Sequence, residues 1–337
     1  MRQWRIAAAA LLATALFVGG TPALAQAATI GQILVSNNDA NPGIIRVSIA
    51  TADPVASVHA DFVDPETAAV VATADDFVLA EQNSREVQYV TSAPVVMAPG
   101  TYDINVAVAA TDGETARFSD TLFYQITATV DELTVDRPAI DLDHRDVTVS
   151  GVLRGRWPGS GEVRPLGGAL VEHWVYRSGD GPIVTNADGT FTHTFTMAGS
   201  INTMTFQYGG GFPHTRGGGT TEYTVTVVPQ QTRVQVRADK RRAEAGDPIT
   251  LTGRVERRSE NGWVAVPERT DLWVYNGCDD TGCAFDYNGV QAAADGTFST
   301  TTAAQRTGYF RVAVAGYEDF LAGSSAQTPV VRVTPVA

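Results

Sequence analysis

The sequence contains few of the residues on which enzyme and metal chemistry usually depend. Its 337 residues include two cysteines and five histidines, and no second histidine or cysteine stands two or four positions from any of those histidines. The motifs G-x-S-x-G, S-x-x-K and H-E-x-x-H do not occur. We therefore expect no catalytic residue, no metal and no cofactor. Aspartate and glutamate are plentiful, so a carboxylate pair for glycoside hydrolysis stays a distant alternative.

Lysine and long apolar runs are also scarce. Lys240 is the only lysine, and the formal net charge is -13. An acidic body repels nucleic acid and anionic membrane surfaces, so neither is an expected partner. After the N-terminal segment, no stretch approaches the roughly 20 apolar residues that a membrane-spanning helix needs. We expect no membrane insertion of the mature chain.

The N-terminus has the pattern of a secretory signal peptide. Arg2 and Arg5 precede an apolar run that extends from Ile6 to about Gly20. Small residues in the A-x-A pattern follow, which predicts a signal peptide over residues 1–27 and cleavage after residue 25 or 27. An uncleaved anchor is the alternative, but the run is short for a bilayer. The mature protein is expected to be secreted and extracellular, with surface association left open.

One cassette occurs twice in the chain. Its short alternating segments repeat in the same order about a hundred residues apart, which is typical of tandem β-sandwich modules. Sandwich folds often place a tryptophan in the core, and this predicts buried side chains for Trp174 and Trp273. The repeated segments are VTVSG at 147–151 and ITLTG at 249–253, WVY at 174–176 and 273–275, and ADGTF at 187–191 and 294–298.

The period-two alternation within the cassette predicts which side chains face the core. Apolar residues alternate with polar ones, so one face of each strand packs against a facing sheet. Phe191 and Phe298 follow Asp-Gly turns and are expected to point inward. Gly151 and Gly253 indicate a bulge or a close approach of the backbone.

The cassette, completed by GYFRVAV at 308–314, resembles the bacterial immunoglobulin-like repeats of secreted and cell-surface proteins. The segment PGTYDINVAVAATD at 99–112 is similar to modules of the same broad class. The resemblance implies an all-β chain of three tandem immunoglobulin-like β-sandwich domains. We call them module one (28–128), module two (129–229) and module three (230–337). Repeats of this kind commonly act as spacers, stalks, adhesion units or carbohydrate-contacting accessories.

Two short clusters have structural interpretations beside chemical ones. Cys278 and Cys283 bracket four residues, and in a secreted protein such a pair predicts a disulfide rather than a redox or zinc site. Asp141, Asp143 and Asp146 cluster at the junction of modules one and two, just before the strand predicted at Val147. They could supply oxygen ligands to calcium, but a solvated acidic turn is the favoured interpretation.

Two glycine-bounded loops, 209–219 and 316–323, carry aromatic side chains at what we expect to be the same end of their modules. Aromatic faces on loops can stack on sugar rings. The alternative, which we favour, is that the rings fold back over the core. The candidate binding residues are Phe212, His214, Arg216, Tyr317 and Phe320.

A basic surface is the second binding candidate. Arg233, Arg237 and Arg254 are expected on the outward faces of neighbouring strands, with Lys240, Arg241 and Arg242 in the turn between, and they could contact an anionic wall polymer. A solvated surface is the favoured interpretation, because Glu244, Asp247 and Glu256 dilute the positive charge.

The sequence as a whole predicts a secreted, non-catalytic protein with a structural or adhesive role at the outer cell surface. The expected contact is cell-wall polymer or polysaccharide. The alternative is an inhibitor-like module that captures another secreted protein, and a glycan hydrolase or its accessory is the distant third.

Overall fold

The structure is a computed structural model that describes residues 30–37, 43–51, 54–175, 181–285, 289–317 and 319–335. Every regular element in these ranges is a β-strand, which confirms the all-β fold class. Over the same ranges, no helix is long and apolar enough to cross a membrane. The predicted signal peptide, 1–27, lies outside the described residues.

The chain divides into two compact units. Among the described residues, the first comprises 30–36 together with those in Ile45–Ala93 and Asp103–Thr121, and the second comprises 37, 43–44, Pro94–Tyr102 and those from Leu122 onward. The boundaries of the three predicted modules stay a prediction.

The first eight strands form two four-stranded sheets. Their alternate residues are buried, as in Val87–Thr91 and Gly100–Ala109, because successive side chains of a strand point to opposite faces. The strands are β1 Ile33–Asn37, β2 Ile45–Ile49, β3 Ser57–Val63, β4 Val70–Ala74, β5 Phe77–Gln82, β6 Val87–Thr91, β7 Gly100–Ala109 and β8 Thr115–Tyr124. The sheet orders are β1-β2-β6-β5 and β4-β3-β7-β8.

The next eleven strands lie in the predicted module two, except that the first of them begins three residues before the module's predicted start at 129. They are β9 Ile126–Val135, β10 Ala139–Ile140, β11 Asp146–Arg156, β12 Val163–Pro165, β13 Leu170–Trp174, β14 Ile183–Val184, β15 Thr190–Thr196, β16 Thr203–Gly210, β17 Thr215–Gly217, β18 Thr220–Thr224 and β19 Thr226–Val227. One sheet has the order β12-β11-β9-β17 with β15 also paired to β11, and the other has the order β14-β13-β16-β18. The short strands β10 and β19 pair in parallel.

The last eleven strands belong to the predicted module three. They are β20 Thr232–Ala238, β21 Arg242–Glu244, β22 Pro248–Ser259, β23 Gly262–Ala265, β24 Asp271–Asp279, β25 Gly282–Phe285, β26 Val290–Gln291, β27 Thr297–Ala303, β28 Tyr309–Gly316, β29 Ser325–Gln327 and β30 Arg332–Thr334. One sheet has the order β20-β22-β23 with β27 also on β22, and another has the order β25-β24-β28-β29 with β26 also on β24. The short strands β21 and β30 pair in parallel.

The inward-facing side chains of the second unit form two hydrophobic clusters. The module-two core contains the buried rings of Phe191, Phe195 and Phe206. The module-three core contains Phe298 and Phe310 with many aliphatic side chains. The inward orientation predicted for the phenylalanines of the ADGTF segments is therefore confirmed.

The prediction that Trp174 and Trp273 are core residues is wrong. Their side chains are 53% and 40% exposed, respectively. Leu272 and Val274, on either side of Trp273, are buried, and strand alternation therefore turns the tryptophan outward. In module two the buried Val175 follows Trp174 in the same way.

The close approach predicted at the cassette glycines is confirmed. The register of β11 against β9 shifts between Ser150 and Val152, which places a bulge at Gly151. A Cβ atom at Gly151 would lie 2.7 Å from the ring of Phe191, and one at Gly253 would lie 2.5 Å from the ring of Phe298. In both repeats the glycine leaves room for the phenylalanine of the neighbouring strand.

Candidate functional site

The two cysteines form a disulfide at the end of the β24–β25 hairpin, with an S–S distance of 1.99 Å. The Arg306 guanidinium donates to the carbonyl of Gly282 at 3.1 Å and lies 3.7 Å from the carboxylate of Asp279. The hydrogen bonds that Thr281 donates hold the pKa of Asp279 below its usual value. The disulfide of Cys278 and Cys283 thus closes a hairpin whose polar groups serve the turn itself.

The three aspartates of the acidic cluster bind separate partners. Asp141 accepts hydrogen bonds from the backbone amides of Asp143 and His144, both at 2.9 Å. Asp146 accepts one from the hydroxyl of Thr196 at 2.6 Å. Among the described residues, no group of three or more histidine, cysteine, aspartate or glutamate side chains is arranged to hold a metal ion.

Asp143 instead belongs to a network that joins modules two and three. Its Oδ1 lies 2.7 Å from Nη2 of Arg257, and its Oδ2 accepts a hydrogen bond from Nε2 of Gln230 at 2.7 Å. Arg257 also donates to Oε1 of Gln230. The bond from Arg257, supported by that from Gln230, lowers the pKa of Asp143 to about 2. Only 22% of the Asp143 side chain and 15% of the Arg257 side chain are exposed.

Phe320 extends this connection into the hydrophobic interior. It follows β28 of module three, yet its fully buried ring belongs to the module-two core. The guanidinium of Arg145 lies 5.2 Å from the centre of the ring. The Phe320 carbonyl accepts the amide of Gln230 at 2.8 Å, and the Gln230 carbonyl accepts the amide of Ala322 at 2.8 Å.

We call this set of contacts the joint. It consists of Asp143, Arg145, Gln230, Arg257 and Phe320. Leu142 packs beside it against both the module-two and the module-three cores. The sequence indicated an acidic cluster at the junction of modules one and two, but neither its contact with module three nor the arginine that pairs with Asp143.

The first candidate binding loop is partly folded into module two. The Phe212 ring is half-buried against the module-two core and meets the ring of Trp157 edge-on, with centroids 6.3 Å apart. The Tyr208 hydroxyl accepts from the Phe212 amide at 3.0 Å and donates to the Phe212 carbonyl at 2.9 Å. His214 is exposed and has a φ of 49°, a left-handed conformation that is uncommon outside glycine. Its carbonyl accepts the amide of Ile126 at 2.9 Å.

Part of that loop is also a sheet edge, which the sequence did not reveal. Arg216 is the central residue of β17, which pairs in parallel with β9 opposite Thr127. The backbone of this segment is therefore fixed by the sheet, and the Arg216 side chain is half-buried.

The second candidate loop separates its two aromatic residues. Tyr317 is half-buried against the module-three core, whereas Phe320 enters the module-two core. A fully buried ring offers no face to a sugar, so Phe320 acts as a packing residue in this structure. Phe212 and Tyr317 pack against different cores.

No protein-family model and no curated protein matches this sequence. Among solved structures, the chain is similar to a tetra-tandem repeat from the extending region of a large adhesion protein, with 15% identity over 89% of this chain and 74% of that chain and a TM-score of 0.33. It is also similar to the I9–I11 tandem of titin, with 11% identity over 88% of this chain and 95% of that one and a TM-score of 0.27. The Yersinia pseudotuberculosis adhesin InvE shows 15% identity over 61% of this chain and 60% of that one, with a TM-score of 0.38. The likeness concerns the immunoglobulin-like β-sandwich fold and carries no information about a ligand.

Proposed function

We propose that this chain is a secreted, non-catalytic protein with a structural or adhesive role at the outer cell surface, where it contacts cell-wall polymer or other glycans. The module boundaries at 28–128, 129–229 and 230–337 and the removal of residues 1–27 are parts of this proposal. The observation that carries it is the joint, because a joint of this kind suits a chain that must hold its modules in a fixed arrangement.

The joint removes the freedom that a short linker would otherwise have. Gln230 lies in the segment that links modules two and three, yet its backbone amide, its carbonyl and its side chain all form hydrogen bonds with residues of one module or the other. Burial of the Phe320 ring adds an apolar contact that would have to open before the modules could swing apart. Modules two and three therefore form a stiff segment, which favours the role of spacer or adhesive stalk.

The shifted carboxylates also favour a structural role. In both ADGTF turns the aspartate accepts the amide and the hydroxyl of the threonine two residues later. These bonds lower the pKa of Asp188 and of Asp295. The lowered pKa values thus arise from turn geometry, whereas a general acid needs a raised value.

A sedimentation assay with washed cell walls tests the proposal. The mature chain, 28–337, is mixed with walls from the producing culture and spun down, and the bound fraction is measured. We expect the mature chain to sediment with the walls. A chain that stays in the supernatant with every wall preparation would contradict the proposal, and co-purification with a soluble secreted protein would favour the capture of a protein instead.

Variants then test the candidate loops. Phe212→Ala and Tyr317→Ala each remove a half-buried ring and are expected to weaken sedimentation if the loops carry the contact. The matched control is Phe123→Ala, which removes a ring that is 59% exposed on β8. Equal sedimentation of all three variants would assign the contact to another surface.

A further inference from the structure

A second surface, on module three, has the chemistry of a ligand site. Strands β20, β22 and β27 lie side by side, and their outward residues form two cross-strand rows. In the first row Arg254 pairs with Gln235 on one side and with Thr297 on the other. In the second row Thr252 pairs with Arg237 and with Ser299. We call these six residues the basic face.

The basic face lines an open cavity of about 810 Å³. Its side chains offer guanidinium, hydroxyl and carboxamide groups, and none of the residues that line the cavity is acidic. This is unusual for a chain whose formal net charge is -13. A cavity that concentrates positive charge on an acidic protein favours an anionic ligand.

Arg237 is held in place without being neutralised. Its Nε donates to the hydroxyl of Thr252 at 3.0 Å. Within the described ranges, no carboxylate forms an ion pair with Arg237. This hydrogen bond orients the guanidinium toward the cavity. The remaining N–H groups of the planar guanidinium, the arginine fork, can donate to two oxygens of a carboxylate or a phosphate.

Two carboxylates lie near Arg254, but each of them interacts more closely with another residue. Its Nε lies 3.7 Å from Oε1 of Glu256, whose Oε2 is 2.6 Å from Nη2 of Arg233. Asp295 lies close enough for Arg254 to contribute to its lowered pKa, but hydrogen bonds from Thr297 are the larger cause. More than half of the Arg254 side chain, 52%, is exposed.

The spacing of the two arginines favours a polymer over a small anion. Arg237 and Arg254 are diagonal neighbours on adjacent antiparallel strands, which places their Cα atoms about 7–8 Å apart. Two charges at that separation, with hydroxyl and carboxamide groups around them, suit a chain that carries repeated charge and many hydroxyl groups.

We propose that the basic face binds a segment of anionic polysaccharide or polyol, with Arg237 and Arg254 pairing with its negative groups. Thr252, Thr297 and Ser299 bond to its hydroxyl groups. This inference rests on the proposed function, because it names the polymer class that module three contacts. The negative group is a carboxylate or a phosphate, and both provide the oxygens that an arginine fork recognises.

A binding assay with three defined polymers tests the inference. The mature chain is immobilised, and sodium polygalacturonate, poly(glycerol phosphate) and neutral dextran are passed over it. We expect at least one anionic polymer to bind, dextran not to bind, and salt to weaken the binding because the contacts are charged. Binding of polygalacturonate alone identifies the group as a carboxylate, and binding of poly(glycerol phosphate) alone identifies it as a phosphate.

Paired variants locate the binding. The double variant Arg237→Gln/Arg254→Gln is expected to weaken binding at least about tenfold, because each charge-assisted bond is lost. The control Arg85→Gln/Arg117→Gln removes the same charge from exposed positions in the first unit and should bind like the unaltered chain. Arg237→Lys/Arg254→Lys keeps the charge but loses the fork, so its affinity should fall between the two.

Three results would overturn the inference. They are equal binding by the glutamine variant and the unaltered chain, an equal loss in the Arg85/Arg117 control, and retention of double-stranded DNA as strong as that of the anionic polymers. The proposed function is judged separately. If the Arg237→Gln/Arg254→Gln variant still sediments with walls, the proposed function stands. If the mature chain binds polygalacturonate but no wall preparation, only the proposed function is refuted.

Discussion

Phe320 gives the sharpest test of the joint. Replacing it with alanine removes a fully buried ring from the module-two core although the altered residue belongs to module three. Truncation of a buried phenylalanine costs about 3–5 kcal/mol when the cavity cannot collapse. Loss of the contact with Arg145 adds about 0.5–1 kcal/mol. We therefore expect Phe320→Ala to lower the stability of module two by about 3.5–6 kcal/mol.

Hydrogen exchange on the mature chain measures this locally. The amides of Met204 and Phe206 in β16 belong to residues of the module-two core and report its opening free energy. Phe320→Ala should speed their exchange, although the altered residue is distant in sequence. Phe123→Ala, on an exposed ring, should change it by less than about 0.5 kcal/mol.

A loss of about 1 kcal/mol or less in the stability measured at β16 of Phe320→Ala would contradict the placement of this ring in the module-two core. Such a result would mean that the ring lies at a surface and could serve as the sugar platform that the sequence suggested. Thermal unfolding gives a second measurement. Modules two and three should melt together in the unaltered chain and separate into two transitions in the variant.

Three further predictions concern single residues. The folded pKa of Asp143, about 2, lies below the usual 3.8, so its ionised form stabilises the fold above pH 3.8 and that stabilisation disappears as the pH falls through about 2. Asp143→Asn should remove this part of the acid dependence, about 1–2 kcal/mol in pH-dependent unfolding, whereas Asp146→Asn should leave it intact. Gly253→Ala should lower the melting temperature, because its Cβ would meet the Phe298 ring at 2.5 Å and the carbonyl of Gln235, whereas Gly289→Ala, with open space around it, should not. Cys278→Ser should cost at most about 2 kcal/mol, because the closed loop is short, and the unaltered protein should weigh two hydrogens less than its reduced form by mass spectrometry. Two alkylatable thiols in the secreted protein would contradict that last prediction.

Local patterns in the sequence predicted the strands, the inward phenylalanines and the close glycines. These features depend on alternation and on residues that meet across neighbouring strands, as Gly253 and Phe298 do. The disulfide was predictable for the same reason, since its cysteines stand five positions apart. Strict alternation would also have placed Trp273 outward between Leu272 and Val274. The wrong prediction came from the expectation that a sandwich fold buries a tryptophan in its core.

The joint could not be read from the sequence because its partners are far apart along the chain. Alternation tells which face of a strand is buried, but it does not tell which core a loop side chain enters. Phe320 was therefore interpreted as a loop aromatic of module three, and Asp143 as part of a solvated or calcium-binding turn. The basic face was predictable only in part. The pairing of its strands was predictable from the sequence, but its cavity and the ion pair of Glu256 with Arg233 depend on the three-dimensional arrangement of side chains.

A side chain that module three contributes to the core of module two has a consequence for how such a protein can change over generations. A recombination event that exchanges module three for an unrelated repeat would leave module two with a hole the size of a phenylalanine ring. An event that replaces module two would leave the ring with no interior to enter. The two repeats are therefore expected to be inherited, duplicated and transplanted as a pair, even though each looks self-contained when its strands are counted.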